Sequence, residues 1–281
     1  MVVLRKGAIK VPKSVTVEII CVGNELLIGK ILNTNAQWLA RYITSLGGRV
    51  RRINTVEDDI DEFSLALKDS LTRNPTFIII TGGLGPTFDD KTLEAIAKTL
   101  NKPIELNEEA LLMVKKKYHQ YEIAISKPIE LTSARLKMAR LPKEAKPLPN
   151  PVGTAPGMFL EYNASKIAAL PGVPKEMEAI FEASLVPIIR KAVGSLFVYE
   201  KSLRVTEIIE SEIAPLIDMV MHNNPYVYIK SHPKDAEPIP IIELHLSTTL
   251  ESREKAENYV ETVAKQISQK IIEHGGKIEP Y

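Results

Sequence analysis

The sequence predicts a three-layer α/β/α fold with a mostly parallel sheet, followed by a small α+β unit. Three observations predict it. Two nearly unbroken apolar runs, VTVEIICVG (15–23) and TFIIITGG (76–83), end in glycine, as strands buried on both faces do. Amphipathic stretches of helical period lie around them, giving a β-α-β-α-β-α order that implies parallel pairing. From about Leu196 the pattern restarts with more strands than helices.

The elements follow in order. Trp38, Leu39, Tyr42, Ile43 and Leu46 recur at helical spacing within NTNAQWLARYITSLGG (33–48), with Asn33 or Thr34 as the cap and Gly47-Gly48 as the stop. RVRRINTV (49–56) alternates as a second strand. IDEFSLALKDSLTRN (60–74) sets Ile60, Phe63, Leu67 and Leu71 on one face and stops at Asn74-Pro75. DDKTLEAIAKTL (89–100) is expected to be the third helix, with acids in its first turn. NEEALLMVKKKYHQY (107–121) and TSARLKMARL (132–141) read as helices, and residues 141–162 form a Pro/Gly-rich stretch without an assigned element. Residues 166–192 read as a strand, a tight LPG turn and a helix. Beyond them come a strand (196–206), a helix (206–223), strands at 225–234 and 238–249, and a closing helix (252–276) with Tyr259, Val263, Ile267 and Ile271 on one face. The expected division is an extension over 1–14, a first domain over 15–180 and a second over 181–281, with the border inside 175–197.

Composition narrows the function. The chain has 281 residues, 44% apolar and 25% charged, with a net charge of +1. That is the profile of an ordinary globular protein and lacks the cationic field of a nucleic-acid binder. Its single cysteine, Cys21, has no internal partner for a disulfide, which fits a reducing, cytoplasmic setting. No run reaches the roughly 18 apolar residues of a membrane span, and the N-terminus lacks a signal-type apolar core. The five histidines show no metal-ligand spacing.

Chemistry concentrates in TGGLGPTFDD (81–90). Gly82, Gly83 and Gly85 at a strand-to-helix junction permit positive φ and bare the backbone amides, which suits phosphate. The stretch is neither a Walker A loop, since no Lys-Ser or Lys-Thr follows Gly85 at the right spacing, nor a GxGxxG fingerprint, since Phe88 occupies the third glycine position. Asp89 and Asp90 sit where they would repel a bare phosphate, which makes sense if Mg²⁺ or another divalent cation lies between. The alternative is that Asp89 only caps the third helix and the glycines only turn the chain. Asn24 and Glu25 end the first strand, with Asn33 and Asn35 close behind, and Glu25 is either a ligand or base or a surface carboxylate. Two glycine-bearing strand ends, VGNE and TGGLG, are expected to lie close together, because ligands bind beyond the carboxyl ends of parallel strands.

Taken together, VGNELLIGKILNTNAQWLA (22–40), TGGLGPTFDDKT (81–92), NPVGTAPGM (150–158), LPGVPKEM (170–177) and TEIIESEIAPLI (206–217) resemble the N-terminal portion of the CinA family. Its first part is a molybdopterin-binding-like domain shared with MogA, MoaB and MoeA proteins. The resemblance implies a three-layer first domain, a KH-type second domain and a homodimer. It also implies metal-dependent hydrolysis of ADP-ribose to AMP and ribose 5-phosphate. The related molybdopterin proteins imply an alternative, adenylylation of a pterin, and a non-catalytic nucleotide- or pterin-binding module is a third reading. Onto this sequence the resemblance places catalytic roles at Asp89, Asp90 and Glu25, with the metal on Asp89 and Asp90. It places nucleotide contacts at Thr81, Gly82, Gly83, Gly85, Pro86, Thr87, Asn24, Asn33 and Asn35. Further contacts are implied at Asn150, Gly153, Thr154, Ala155, Pro156, Gly157, Pro171, Gly172, Lys175 and Glu176. Three departures stand out. Position 24 is Asn where relatives often carry Asp or Thr, which leaves Glu25 the better ligand candidate. The chain ends at Tyr281, without room for the family's C-terminal amidohydrolase, so deamidation of nicotinamide mononucleotide is not expected. The segment 196–281 has only Gly275-Gly276 and no GxxG clamp, so nucleic acid is not an expected partner and the second domain is expected to serve assembly or to cover the site.

Overall fold

A computed structural model describes residues 15–234 and 241–279. The chain divides into two units at Val193/Gly194. The first contains β1 (Thr16–Val22), α1 (Asn24–Leu27), α2 (Thr34–Ser45), β2 (Arg49–Val56), α3 (Ile60–Thr72), β3 (Phe77–Thr81), α4 (Thr92–Thr99), β4 (Ile104–Leu106) and α5 (Glu108–Ile125). It continues with α6 (Ser133–Lys137), β5 (Arg140–Pro142), β6 (Lys146–Leu148), β7 (Gly157–Tyr162), β8 (Ser165–Leu170), α7 (Pro174–Ile180), a π turn (Phe181–Leu185) and α8 (Val186–Val193).

Its main sheet runs β2-β1-β3-β8-β7-β6. The first four strands are mutually parallel, β7 runs against them, and β6 pairs antiparallel with β7 and so runs with the first four. The apolar runs are buried on both faces. Ile20, Val22, Ile78 and Ile80 share a core with Phe63 and Leu67 of α3, Ile96 of α4 and Val114 of α5. The alternating residues Ile19, Cys21 and Ile79 are equally buried and point to the opposite face. Trp38 and Tyr42 of α2 each pack edge-on against Phe181 at 5.5 Å. Under the sheet, Glu18 is the one buried charged residue of strand β1, and Arg73 at the end of α3 meets it with Nε at 2.7 Å and Nη2 at 2.6 Å. Ser70 adds a bond at 2.8 Å. Burial pushes the Glu18 carboxyl up, but the bonds from Arg73 and Ser70 outweigh it and hold it below its ordinary value.

The second unit contains β9 (Phe197–Thr206), α9 (Glu210–Asn223), β10 (Tyr228–Lys234), β11 (Ile241–Leu250), α10 (Arg253–Glu273) and β12 (Lys277–Glu279). Its sheet is antiparallel throughout, in the order β10-β11-β9-β12. Leu203, Val205, Leu244 and Leu246 pack on Ile213 and Leu216 of α9 and on Val260, Val263, Ile267 and Ile271 of α10.

Several expectations are corrected. The border expected at 180/181 falls inside a helical run continuous from Pro174 to Val193, and the chain breaks at Gly194, where φ is +73°. The run widens to a π turn just before Pro187, whose ring conflicts with the carbonyl four residues back. The third helix begins at Thr92, so Asp89 and Asp90 lie in the preceding turn. The helix expected over 132–141 stops at Lys137, because Arg140–Pro142 pairs antiparallel with β4. The Pro/Gly-rich stretch holds most of β5 and all of β6 and β7; Pro147 is tolerated because β6 is an edge strand. Thr206 closes β9, and α9 starts only at Glu210. Tyr259 is 42% exposed and stacks on Tyr226, while Val260 takes its place in the core stripe. The extension over 1–14 and the start of the strand expected from 238 lie outside the described residues. Among the described residues no helix is long and apolar enough to cross a membrane.

Candidate functional site

Four parallel strands set the site. Register aligns Cys21 with Thr55 and Thr81, and Thr81 with Leu170, so β1, β2, β3 and β8 end at one edge of the sheet. The segments that leave those ends are Gly23–Glu25, Glu57–Asp59, Gly82–Asp90 and Pro171–Gly172. Three of the sequence motifs, VGNE, TGGLGPTFDD and LPGVPKEM, leave these strand ends, which is why residues far apart in the chain converge.

The glycines after β3 are there for fit. Gly82 has φ +101° and Gly83 has φ +67°. A Cβ on Gly82 would lie 2.3 Å from the Val22 carbonyl oxygen, and one on Gly83 would lie 2.2 Å from Thr92 Oγ1. Thr92 is buried and donates from Oγ1 to the Gly82 carbonyl at 2.9 Å, while its amide donates to the Gly83 carbonyl at 3.2 Å, tying the turn to the first residue of α4. The Gly82 amide donates to Leu170 O at 3.0 Å. It is therefore occupied within the sheet, contrary to its expected phosphate role. The amides of Gly83, Leu84 and Gly85 have no protein acceptor among the described residues.

Thr87 organises the two aspartates. Its amide donates to Asp90 Oδ2 at 2.8 Å, and its hydroxyl lies 2.5 Å from the same oxygen. That hydroxyl also meets Asp89 Oδ1. One hydroxyl proton cannot serve both carboxylates at once, but the Thr87 amide already donates to Asp90 Oδ2, so both aspartates keep a donor while their oxygens converge. Asp89 does not cap α4, whose N-cap is Lys91 with no side-chain bond. Hydrogen bonds from the Thr87 hydroxyl and from its own amide hold the Asp89 carboxyl below its ordinary value. Gly85 stays bare because a Cβ there would lie 2.6 Å from Asp90 Oδ2. Pro86 and Phe88 are exposed, Phe88 at 87%. Lys137 of α6 donates to the Thr87 carbonyl at 2.8 Å and clamps the turn from outside.

A residue the motifs did not reveal completes the acidic edge. Asp58, just past β2, accepts from the Asn24 amide at 2.9 Å. Burial pushes its carboxyl up, the Asn24 amide opposes that, and the charges of Glu25, Asp89 and Asp90 push it up further. Asp58 thus senses all three acids that the sequence singled out. The signal that would have found it is its place at the fourth parallel strand end; its neighbour Asp59 is the N-cap of α3, accepting from Asp61 and Glu62. Glu25 folds back against Gly23, where a Cβ would meet its Oε1 at 2.6 Å. Among the described residues no group of three or more His, Cys, Asp or Glu side chains is arranged to hold a metal. The donor set at the turn is a pair of carboxylates, which suits a cation that keeps waters and substrate oxygens as its other ligands.

The remaining residues divide by what they touch. Asn33 is the N-cap of α2, accepting from the Ala36 amide at 3.1 Å, so its Oδ1 serves the helix. Asn35 donates to the Gly172 carbonyl at 2.7 Å, joining α2 to the exit of β8, and its Oδ1 is buried without a partner among the described residues. A Cβ on Gly172 would come within 3.4 Å of the Gly82 Cα, so the β3 and β8 exits touch. Asn150 organises its own loop: Oδ1 accepts from the Val152 amide at 3.0 Å and the Gly153 amide at 2.8 Å, while Nδ2 donates to Ala155 O at 2.8 Å and Glu176 Oε2 at 2.7 Å. Gly153 is needed because Glu176 presses on it: a Cβ would lie 2.0 Å from its carboxylate. Gly157 opens β7 with Ala169 O 3.0 Å from where its Cβ would sit, and Thr154 reaches only Met138 Sδ at 3.9 Å. Pro156 and Pro171 are buried, whereas Lys175 is exposed in the first turn of α7.

Fold and site define a class: a three-layer α/β protein with a glycine turn and paired carboxylates at the parallel strand ends. Residues 18–191 match the family described as "Probable molybdopterin binding domain". The chain belongs to that family and is CinA-like within it. A protein of Caldivirga maquilingensis is 47% identical over 89% of this chain and 94% of its own length. Protein Ta0487 of Thermoplasma acidophilum is 37% identical over 93% of this chain and 98% of its own. A crystal structure of the protein CinA, with unknown function, from Thermoplasma acidophilum matches with a TM-score of 0.56 at 43% identity, covering 62% of this chain and 98% of that one.

Proposed function

We propose that the chain hydrolyses the phosphoanhydride of a nucleotide diphosphate in a metal-dependent way, with ADP-ribose as the substrate and AMP and ribose 5-phosphate as the products. The observation that carries this reading is the convergence of Asp89 and Asp90 on the Thr87 hydroxyl, beside the open amides of Gly83 and Gly85. Amides without acceptors suit phosphate oxygens, and carboxylates beside a phosphate need a cation. Asp89 and Asp90 would hold Mg²⁺ or another divalent cation. Such a cation supplies charge for the diphosphate and lowers the pKa of water.

The chain's own residues do the rest. The Gly83 and Gly85 amides orient the diphosphate. Thr87 and Lys137 keep the turn and its aspartates in place. Asp58, with its raised carboxyl pKa, is suited to take a proton from the attacking water. The water oxygen joins one phosphorus, the bridging oxygen leaves with the other, and one proton is released. The family's description names molybdopterin, which supports a second reading in which the site binds a pterin and transfers an adenylyl group to it.

One assay separates them: ADP-ribose, FAD, NAD and ATP, each with Mg²⁺ and with EDTA, read as AMP release. Metal-dependent AMP from ADP-ribose without added pterin supports hydrolysis. AMP transfer from ATP seen only when molybdopterin is present would replace it with the transferase.

A further inference from the structure

The second unit has the connectivity β-α-β-β-α-β and the strand order β10-β11-β9-β12, which is the split βαβ arrangement. Both of its helices pack on one face, where Leu203, Val205, Leu244 and Leu246 meet α9 and α10. Side chains alternate along a strand, so the residues between these form a second face that neither helix covers. Tyr228 is 55% exposed there, with Lys230 and His232 exposed beside it.

Register gathers a small group on that face. Lys230 of β10 lies opposite His245 of β11, and Tyr228 lies opposite Ser247. Tyr228 and His232 stand two positions to either side of Lys230, about 7 Å away along the strand. Three rings thus surround one ammonium. The charges around it are matched: Lys234 meets Glu243 at 2.7 Å, Arg204 meets Glu279 at 3.1 Å, and His245 faces Glu200 at 3.7 Å. Lys230 has no hydrogen-bonding or ionic partner among the described residues, and neither has the Ser247 hydroxyl. One unmatched cation among flat rings suits a phosphate with a base on each side, because bases stack on Tyr and His rings whatever their sequence. The Ser247 hydroxyl both donates and accepts, as a ribose 2′-hydroxyl does. A protein partner fits poorly: an interface needs an apolar core, and Tyr228 is the one exposed large apolar side chain on this face among the described residues. The GxxG clamp that the sequence lacks is not needed by a sheet surface that holds bases by stacking.

We propose that this face binds single-stranded RNA, with Tyr228 and His245 as stacking platforms and Lys230 as the phosphate contact. The site goes beyond the hydrolytic reading and does not depend on it. The test is fluorescence anisotropy of a short labelled single-stranded RNA titrated with the full chain in EDTA, repeated over a range of salt. The expected result is saturable binding whose affinity falls with salt on a log–log slope of about −0.7, the value for one phosphate of a single strand. Tyr228→Ala weakens binding about tenfold. Lys230→Gln weakens it as well and flattens the salt slope toward zero. Lys265→Gln, an exposed position on α10, changes neither. Tyr228 and Lys230 are both exposed, so the two variants keep the fold, which a thermal melt verifies. Absence of saturable binding, or binding that Tyr228→Ala and Lys230→Gln leave intact, overturns the proposal. Binding that Lys265→Gln weakens as much as Lys230→Gln also overturns it, by showing a general attraction of charge. Equal binding of single-stranded DNA of the same sequence overturns the choice of RNA.

Discussion

Asn24 and Asp58 bind each other twice: the Asn24 amide donates to Asp58 Oδ2 at 2.9 Å, and the Asp58 amide donates back to Asn24 Oδ1 at 3.4 Å. The pair locks the exits of β1 and β2 together and fixes a carboxylate within reach of three other acids. A fold that holds like charges this close, relieved at Asp89 by Lys137 and Lys91, sacrifices stability for a site.

That trade is testable at Asp58. Asparagine in its place keeps an oxygen for the Asn24 amide and removes one charge from the cluster. Asp58→Asn is expected to raise the thermal midpoint in EDTA and to lower metal-dependent turnover. A lower midpoint would mean that the acids stabilise the fold rather than burden it.

The glycine turn yields a comparison between neighbours. Gly83→Ala places a left-handed alanine against the Thr92 hydroxyl, a side-chain group that can rotate, and should cost about 2 kcal/mol. Gly82→Ala drives a Cβ into the Val22 backbone carbonyl, which cannot move without β1, and should cost more. Urea unfolding of the two variants checks the order.

Glu18 and Arg73 carry a pH dependence. The folded carboxyl lies below its ordinary value of about 4.3, so its stabilisation is complete above that pH and is lost as pH falls through the folded value. Glu18→Gln should cost about 3 kcal/mol at neutral pH. Asp69, 2.6 Å from Arg73, keeps the loss at the low end for a broken buried pair. The gap between wild type and variant should close as pH falls below the ordinary carboxyl value and through the lower folded one. A gap that does not change with pH would assign the cost to packing.

Asn150→Ala removes four hydrogen bonds from one buried side chain and leaves the amides of Val152 and Gly153 without their acceptor. A loss of roughly 3 kcal/mol is expected in urea unfolding with an unchanged m-value. A change in m would show that the loop has come loose as a unit.

Much of this was legible in the residues. The apolar runs ending at Gly23 and Gly82 gave β1 and β3, and the glycines with Asp89 and Asp90 marked the turn before any coordinate was known. What was not legible required pairing. Asp58 sits in VEDDID, where four acids crowd together and only the register of β2 against β1 selects one. Asp89 carried two readings until the start of α4 at Thr92 separated it from the helix. Strands β5 and β6 hid among prolines because edge strands tolerate what central strands exclude. Lys137 left no trace, since its contact with Thr87 spans fifty positions.

The most direct measurement is AMP release from ADP-ribose with Mg²⁺, comparing wild type with Asp90→Asn. The substitution keeps the side chain's shape and an oxygen for the Thr87 amide, so the fold survives while one carboxylate charge is lost. The account predicts EDTA-sensitive release in wild type and a loss of about a hundredfold or more in the variant. Equal release from both proteins, or wild-type release that EDTA does not affect, would contradict it.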